Sequence, residues 1–387
     1  MMRLAVVREG RALLYVPDTR QALTERGVLE PAWLDVFYNP VMTFNRDLSV
    51  VVASAYLRGS LSLVDAMAGT GVRGVRYSLE LDGVTFGVVN DIDPRSLDII
   101  KANIRLNGLQ GVLTPANRDV NALLYSARRE LGLRFDLVDV DPFGSPAHYV
   151  ASALGALKRG GLLGVTATDL AVLGGSKPNA AVRKYWVSSL RPLRHYRETA
   201  IRVLLGYIAR VAASQDLSIR PLLSISVDHY VRVFVTVEGG ARRADDTLRE
   251  NMGCLEARPG GVITMTKSCA SGDGPLWVGP LFDPKLVEDA LRALDRLSHL
   301  ETADRLRWLL STVSEEARLQ SHFHQRLDHL CSAQRRNMPT IEEVRSYLTG
   351  LGYDFSRTHL SPVGFRTNAP PEVLSELCSR IRRGSST

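Results

Sequence analysis

The chain has 387 residues, more than one compact core usually occupies, so two domains are expected. Hydrophobic residues make up 45% and charged residues 23%, the balance of a water-soluble globular protein, and no uninterrupted apolar run is long enough to span a bilayer. A formal net charge of +7 and a pI near 9.3 favour a polyanionic partner, because clustered cations neutralise phosphates and release counterions.

At the N-terminus, Arg3, Arg8, Glu9 and Arg11 interrupt the apolar residues, so no signal-peptide core is expected and the protein reads as cytoplasmic. Residues Met1–Leu57 precede the first core strand and are expected to wrap the domain that follows. From Leu61 onward, short apolar runs alternate with amphipathic segments. Leu61–Ala66, Thr85–Asn90, Phe135–Val140 and Leu162–Ala167 read as buried strands, with a weaker one at Val112–Pro115. Between them Val72–Leu81, Pro94–Asn107, Val120–Leu131 and Ala147–Leu157 read as helices, Asp93 and Pro94 supplying an N-cap and a first-turn proline. Such alternation implies a parallel sheet covered on both faces.

After a helix over Tyr196–Ala213, strands at Ser218–Val227 and Tyr230–Glu238 are separated only by Asp228 and His229. So short a link forces an antiparallel pair. A parallel sheet closed by an antiparallel hairpin is the Rossmann-like class I methyltransferase pattern, which defines the expected α/β fold of residues 1–239. Gly239-Gly240 marks the expected boundary. Beyond it, residues 240–387 should form a smaller, mixed and largely helical domain. Met252–Gly279 reads as irregular, Asp283-Pro284 opens a helix, and Thr340 with Glu343 forms a capping box. Four cysteines (Cys254, Cys269, Cys331 and Cys378) in a chain this long do not suggest a disulfide scaffold. His322, His324 and His329 lack standard metal-site spacing and are expected on an exposed helix.

The first strand runs into Asp65-Ala-Met-Ala-Gly69-Thr-Gly71-Val-Arg73-Gly74. Gly69, Gly71 and Gly74 would let backbone approach a ligand closely, and alone they would also fit a dinucleotide site. Asp65 shifts the balance. A carboxylate at the strand tip repels a pyrophosphate but attracts the ammonium of S-adenosylmethionine. About 20 residues past the glycines, Asp91 is placed to accept both ribose hydroxyls. Asp119 and Val120 follow the third strand, where the acid can accept from the adenine amine and the next amide can donate to the ring. Each acid could instead be a helix cap.

Phe135–Val140 stops at Asp141-Pro142-Phe143-Gly144-Ser145-Pro146, at the carboxyl end of the fourth strand, where open parallel sheets bind ligands. This tetrad resembles the Asn/Asp-Pro-Pro-aromatic signature of enzymes that methylate exocyclic amines. An aromatic amine is a poor nucleophile, because its lone pair is delocalised into the ring. A carboxylate accepting its N–H favours the pyramidal geometry that returns the lone pair to nitrogen. Pro142 restricts the turn, and Phe143 offers a face for the base. A carboxylate also matches the two parallel donors of guanine. The competing reading is a simple Asp-Pro turn with a helix cap.

Together with these segments, Phe37-Tyr-Asn-Pro-Val-Met-Thr-Phe-Asn-Arg46-Asp-Leu, Gly274-Pro-Leu-Trp-Val-Gly-Pro280 and Ser356-Arg-Thr-His359 resemble the archaeal and eukaryotic tRNA (guanine-26-N2)-dimethyltransferases over nearly the whole chain. The resemblance implies tRNA as partner and S-adenosylmethionine as cofactor. It implies that Arg46 and Arg73 hold the methionine end, Asp91 the ribose, and Asp119 and Val120 the adenine. Asp141 would be the catalytic carboxylate, with Phe37 and Phe143 contacting the base. Members of that family often carry two Cys-x-x-Cys pairs that bind zinc. Here the pairs read Asn251-Met-Gly-Cys254 and Thr266-Lys-Ser-Cys269, and two thiols fall short of the usual four ligands, so no zinc is expected. Arg357, His359, Phe365 and Arg366 read either as a tRNA-contacting loop or as a solvated connector. No obligate protein partner and no membrane partner is implied. Competing functions are methylation of adenine or cytosine amines in DNA, NAD-dependent oxidoreduction, and RNA binding without catalysis.

Overall fold

The computed structural model describes residues 3–191, 194–270 and 272–381. Its centre is a seven-stranded sheet of order β5-β4-β3-β6-β7-β9-β8. The strands are β3 (Leu61–Asp65), β4 (Val84–Asn90), β5 (Leu113–Ala116), β6 (Phe135–Val140), β7 (Leu157–Ala167), β8 (Leu217–Val227) and β9 (Tyr230–Gly239). The pairs β3–β4, β3–β6, β4–β5 and β6–β7 are parallel. Crossovers are made by α2 (Val72–Glu80), α3 (Pro94–Leu106), α4 (Val120–Arg129) and α5 (Val150–Ala156). Val64, Val138 and Leu163 align across three strands and are at most 1% exposed. Burying each contributes about 1.5–3 kcal/mol, and this row explains the near-continuous apolar runs in the sequence. β7 begins earlier than Leu162: Leu157 pairs with Phe135, and residues 158–161 loop out before Leu162 pairs with Leu137. Gly160, at φ 74°, and the 2.7 Å Lys158–Asp136 ion pair accommodate that bulge.

The N-terminal segment does wrap this core. β1 (Leu4–Glu9) and β2 (Ala12–Pro17) form an antiparallel hairpin. Side-chain amides on α3 serve as its docking edge. Asn103 accepts from the Tyr15 amide at 2.6 Å and donates to its carbonyl at 3.0 Å, and Asn107 does the same with Leu13 at 3.0 and 2.7 Å. The outer backbone groups of Leu13 and Tyr15 on β2 are thereby satisfied without another strand. α1 (Thr43–Tyr56) is buried along nearly its whole length. It carries Arg46 and Asp47 into an ionic cluster with Glu9, Arg76 and Glu80.

The chain divides into two compact units. One comprises the chain to Thr166 with Phe234–Glu238 and Glu288–Trp308; the other comprises Ala167–Val233, Gly239–Val287 and the chain from Leu309. Gly239 thus opens one stretch of the second unit, which also takes in residues well before it. After the short helices α6 (Leu170–Leu173) and α7 (Pro178–Tyr185) comes α8 (Tyr196–Ala213), then α9 (Ala241–Asn251) beyond the hairpin. The segment expected to be irregular is instead a three-stranded sheet, β11-β10-β12, of β10 (Met252–Ala257), β11 (Ile263–Thr266) and β12 (Asp273–Trp277). Its glycines and prolines masked the strand pattern: Gly253 lies at a register shift and Pro275 follows a cis peptide bond. α10 (Pro284–Arg296) starts at its expected proline, with Asp283 accepting from the Lys285 amide at 3.0 Å.

The C-terminal expectations need three corrections. All four cysteines are paired, Cys254 with Cys269 and Cys331 with Cys378, each pair with Cα atoms 5.4 Å apart. Sequence spacing carries no information on such proximity. The histidine-rich stretch is not an exposed helix: His324 precedes β13 (Gln325–Arg326) and is 1% exposed, its Nδ1 2.6 Å from Glu198. Nor are His359, Phe365 and Arg366 a surface loop. They lie in or beside β14 (Phe355–Arg357) and β15 (Gly364–Thr367), with exposures of 8%, 0% and 0%. The Arg366 guanidinium joins two buried carboxylates, Glu316 at 2.8 Å and Glu198 at 3.0 Å, and Glu316 also accepts from His359 at 2.7 Å. Glu316 closes α11 (Ala303–Glu316), so these partners come together only when distant elements fold. Arg357 alone of the four remains at the surface. α12 (Leu327–Ala333) and α13 (Ile341–Gly350) complete the core there, α13 with the expected Thr340–Glu343 capping box.

Candidate active site

The tips of β3, β4 and β6 converge on the glycine turn. Gly69 adopts φ 54°, and a Cβ there would lie 2.7 Å from the Phe37 carbonyl oxygen, so both conformation and space require glycine. Gly71, at φ 82°, starts α2 without a side chain to cap it. The cap comes from the strand instead: Asp65 accepts from the Gly74 amide at 2.8 Å. Register places Asp65 directly beside Asp139 on β6. Burial, with Asp139 and Asp141 nearby, pushes the Asp65 carboxyl up to about 7 despite Arg73.

Asp91 follows β4. It accepts from the Gly69 amide at 2.7 Å and from the Asp93 amide at 2.9 Å, so it braces the glycine turn. Asp93 caps α3 through the Arg95 amide at 2.9 Å, the N-cap expected of it. Asp119 caps α4 through the Ala122 amide at 2.9 Å, and Val120, 4% exposed, is the first residue of that helix. Capping leaves further lone pairs on the Asp119 carboxylate.

Asp141 follows β6 and contacts the Arg73 guanidinium. Arg73 is 5% exposed, donates to Ser49 and Asn45 of α1 at 2.9 Å each, and lies 3.5 Å from Asp139. These carboxylates raise its affinity for its proton although burial opposes them. Pro142 is buried, and Gly144, at φ 77°, turns the chain so that Phe143 projects outward, 73% exposed. The Phe37 and Phe143 rings meet edge to face with centroids 4.5 Å apart. Phe143, two residues past Asp141, is thus paired with an aromatic from a segment over 100 residues away in sequence.

Arg46 is placed differently from Arg73. It forms a bidentate pair with Glu9, both contacts at 2.6 Å, and also donates to Asn39 and Thr43. Glu9, Asn45, Ser49 and Asp139 were not singled out from the sequence. Asn45 alone had a local signal, lying beside Arg46 in the Phe37–Leu48 segment.

The residues present suit S-adenosylmethionine. Asp65, Asp139 and Asp141 surround one guanidinium, a carboxylate excess matching an ammonium and a sulfonium rather than a pyrophosphate. Two buried polar atoms, Asn45 Nδ2 and Thr70 Oγ1, have no partner among the described residues, and both lie on the segments that surround Arg73 and the glycine turn. Among the described residues, no group of three or more His, Cys, Asp or Glu side chains is arranged to hold a metal.

The sequence profile of the N2,N2-dimethylguanosine tRNA methyltransferases matches residues 14–379. The tRNA (guanine(26)-N(2))-dimethyltransferase of Aeropyrum pernix is 42% identical over 405 aligned positions, covering 100% of this chain and 98% of its own length. That of Saccharolobus solfataricus is 36% identical over 393, covering 98% and 100%. The structure of Trm1 from Pyrococcus horikoshii with S-adenosyl-L-methionine superposes with a TM-score of 0.85 at 32% identity, over 98% of this chain and 100% of that one. The chain belongs to the N2,N2-dimethylguanosine tRNA methyltransferase family.

Proposed function

We propose that this enzyme transfers methyl groups from S-adenosylmethionine to the exocyclic N2 of guanine 26 in tRNA, giving N2-methyl- and N2,N2-dimethylguanosine. The single observation that carries the reading is the edge-to-face Phe37–Phe143 ring pair, with Phe143 two residues past Asp141 at the end of β6. When bound, the cofactor supplies an electrophilic methyl group. Phe143, exposed and rigidly placed by buried Pro142, gives the extruded base a face to stack on, and Phe37 closes against it. Arg73 engages Oδ2 of Asp141, which leaves Oδ1 to accept the amine N–H. That bond localises the lone pair on nitrogen. As the methyl group is taken up, the amine proton would pass to the Asp141 carboxylate or to water.

For the cofactor, Asp91 is assigned to the ribose, with two lone pairs beyond those holding Gly69 and Asp93, and Asp119 with the Val120 amide to the adenine. Gly69 and Gly71 admit its backbone-close approach. Arg73 and Arg46 are assigned to the methionine end, Arg46 by way of the Glu9 pair that fixes it. Residues 240–387 are assigned to tRNA binding, with exposed Arg335 and Arg336 and half-buried Arg357 as cations available to phosphates. Replacing guanosine 26 by inosine, which lacks only the amino group, tests the target. Methylation should vanish while tRNA binding survives, since phosphate contacts are untouched. Undiminished methylation of the inosine tRNA would mean that another atom or base is the acceptor.

A further inference from the structure

Asn45 lies in the first turn of α1 and is 0% exposed. Its two amide ends are treated unequally. Oδ1 accepts from Arg73 Nη2 at 2.9 Å, and the same nitrogen contacts Asp141. That bond fixes the amide's orientation, because a flipped amide would set its NH2 against a guanidinium. Nδ2, a donor with two hydrogens, then has no partner among the described residues. A buried donor left unpaired is costly, so one beside a ligand site points to a ligand acceptor.

The surroundings select the acceptor. α1 has no side-chain N-cap and no acidic residue of its own in its first turn, and the Glu9 carboxylate that touches Thr43 there is paired with Arg46. Arg73 adds a cation. Asp65, Asp139 and Asp141 act on the same guanidinium and suit positive groups. A zwitterionic amino acid fits this polarity in one orientation, with ammonium toward the carboxylates and carboxylate toward α1.

We infer that Asn45 Nδ2 binds the carboxylate of the cofactor's methionine end, while its Oδ1 holds Arg73 against Asp141. One amide therefore joins the cofactor's anchor to the group that orients the reacting carboxylate. This inference rests on the reading of the site as an S-adenosylmethionine site.

The test is calorimetric titration of wild type, Asn45→Ala and Asn45→Asp with S-adenosylmethionine and with its decarboxylated form, which lacks only the carboxylate. Wild type should lose affinity for the decarboxylated compound. Asn45→Ala should bind S-adenosylmethionine about tenfold to a hundredfold more weakly, the range for a hydrogen bond to a charged group, yet bind the decarboxylated form as wild type does. Asn45→Asp, which turns the donor into an anion, should lose more for S-adenosylmethionine only. Unchanged affinity in Asn45→Ala, or equal weakening for both compounds, overturns the inference. Where a variant fails to give the wild-type thermal melt, Asn45→Ser, small and able to donate, replaces it and should fall between wild type and alanine. Wild type failing to bind S-adenosylmethionine at all would instead overturn the reading of the site.

Discussion

At Asp141 one carboxylate contacts Arg73 and, in the proposed reaction, accepts an amine proton. Asp141→Ala removes both and should lower methyl transfer at saturating cofactor by about 10²–10⁴-fold, the range for losing a positioned acid–base group. Asp141→Asn keeps an oxygen acceptor but cannot take a proton. A loss as large as alanine's would show that proton acceptance matters; a small loss would show that orientation dominates. Single-turnover rates with saturating cofactor distinguish the two. Asp65 makes a prediction about pH. Burial raises its carboxyl in the native state to about 7, from an ordinary value of 3.8. The folded chain therefore holds a proton that the unfolded chain releases, and the associated stability is present below about pH 4 and lost as pH rises through 7. Asp65→Asn should flatten this part of the dependence. Thermal midpoints of wild type and variant at pH 5, 6, 7 and 8 measure it, and parallel curves would contradict the assignment.

At the scale of elements, the sheet's tips work because neighbouring pieces supply what each lacks. α2 begins at a glycine and is capped by Asp65 from β3, while β2 finds its second edge in the amides of α3. In the second unit the staples are covalent. Cys254 on β10 is tied to Cys269, 15 residues on, and Cys331 on α12 to Cys378, 47 residues on. By chain entropy, closing a 15-residue loop contributes about 3 kcal/mol, and the larger loop more. Complete reduction by a phosphine, verified by thiol titration, should lower the thermal midpoint measurably; an unchanged midpoint would mean that neither bridge contributes. The Cys254–Cys269 pair occupies the positions where relatives' zinc-binding pairs were anticipated from the resemblance. Zinc binds thiolates, not disulfide sulfurs, so native protein should contain no stoichiometric zinc by elemental analysis.

For the whole molecule, charge decides how tRNA is met. With a net charge of +7, phosphate contacts should dominate affinity. Between 50 and 200 mM salt, tRNA binding should fall on the order of 10³-fold or more, whereas S-adenosylmethionine binding should hardly change. Filter binding and calorimetry over that range check both, and a flat tRNA curve would remove phosphates as the main contact. A truncation at Gly239 deletes Glu288–Trp308 from the first unit as well as stretches of the second.

The sequence alone determined the sheet, the glycine turn and the Asp141 tetrad, because each is written in adjacent residues. Apolar runs specify buried strands, a two-residue link specifies antiparallel pairing, and Asp93-Pro94 specifies a helix start. The α10 start and the Thr340–Glu343 capping box were legible for the same reason. Tertiary structure alone decided the partners of side chains far apart in the chain. Arg46 meets Glu9 across 37 residues, Arg73 meets Asp141 across 68, and Arg366 meets Glu198 across 168. Nothing local distinguishes those arginines from solvated ones, which is why Arg366 and His359 read as surface and proved to be core. A buried charge survives only where a distant element brings its counter-charge, and which element arrives is a property of topology, not of the residues beside it.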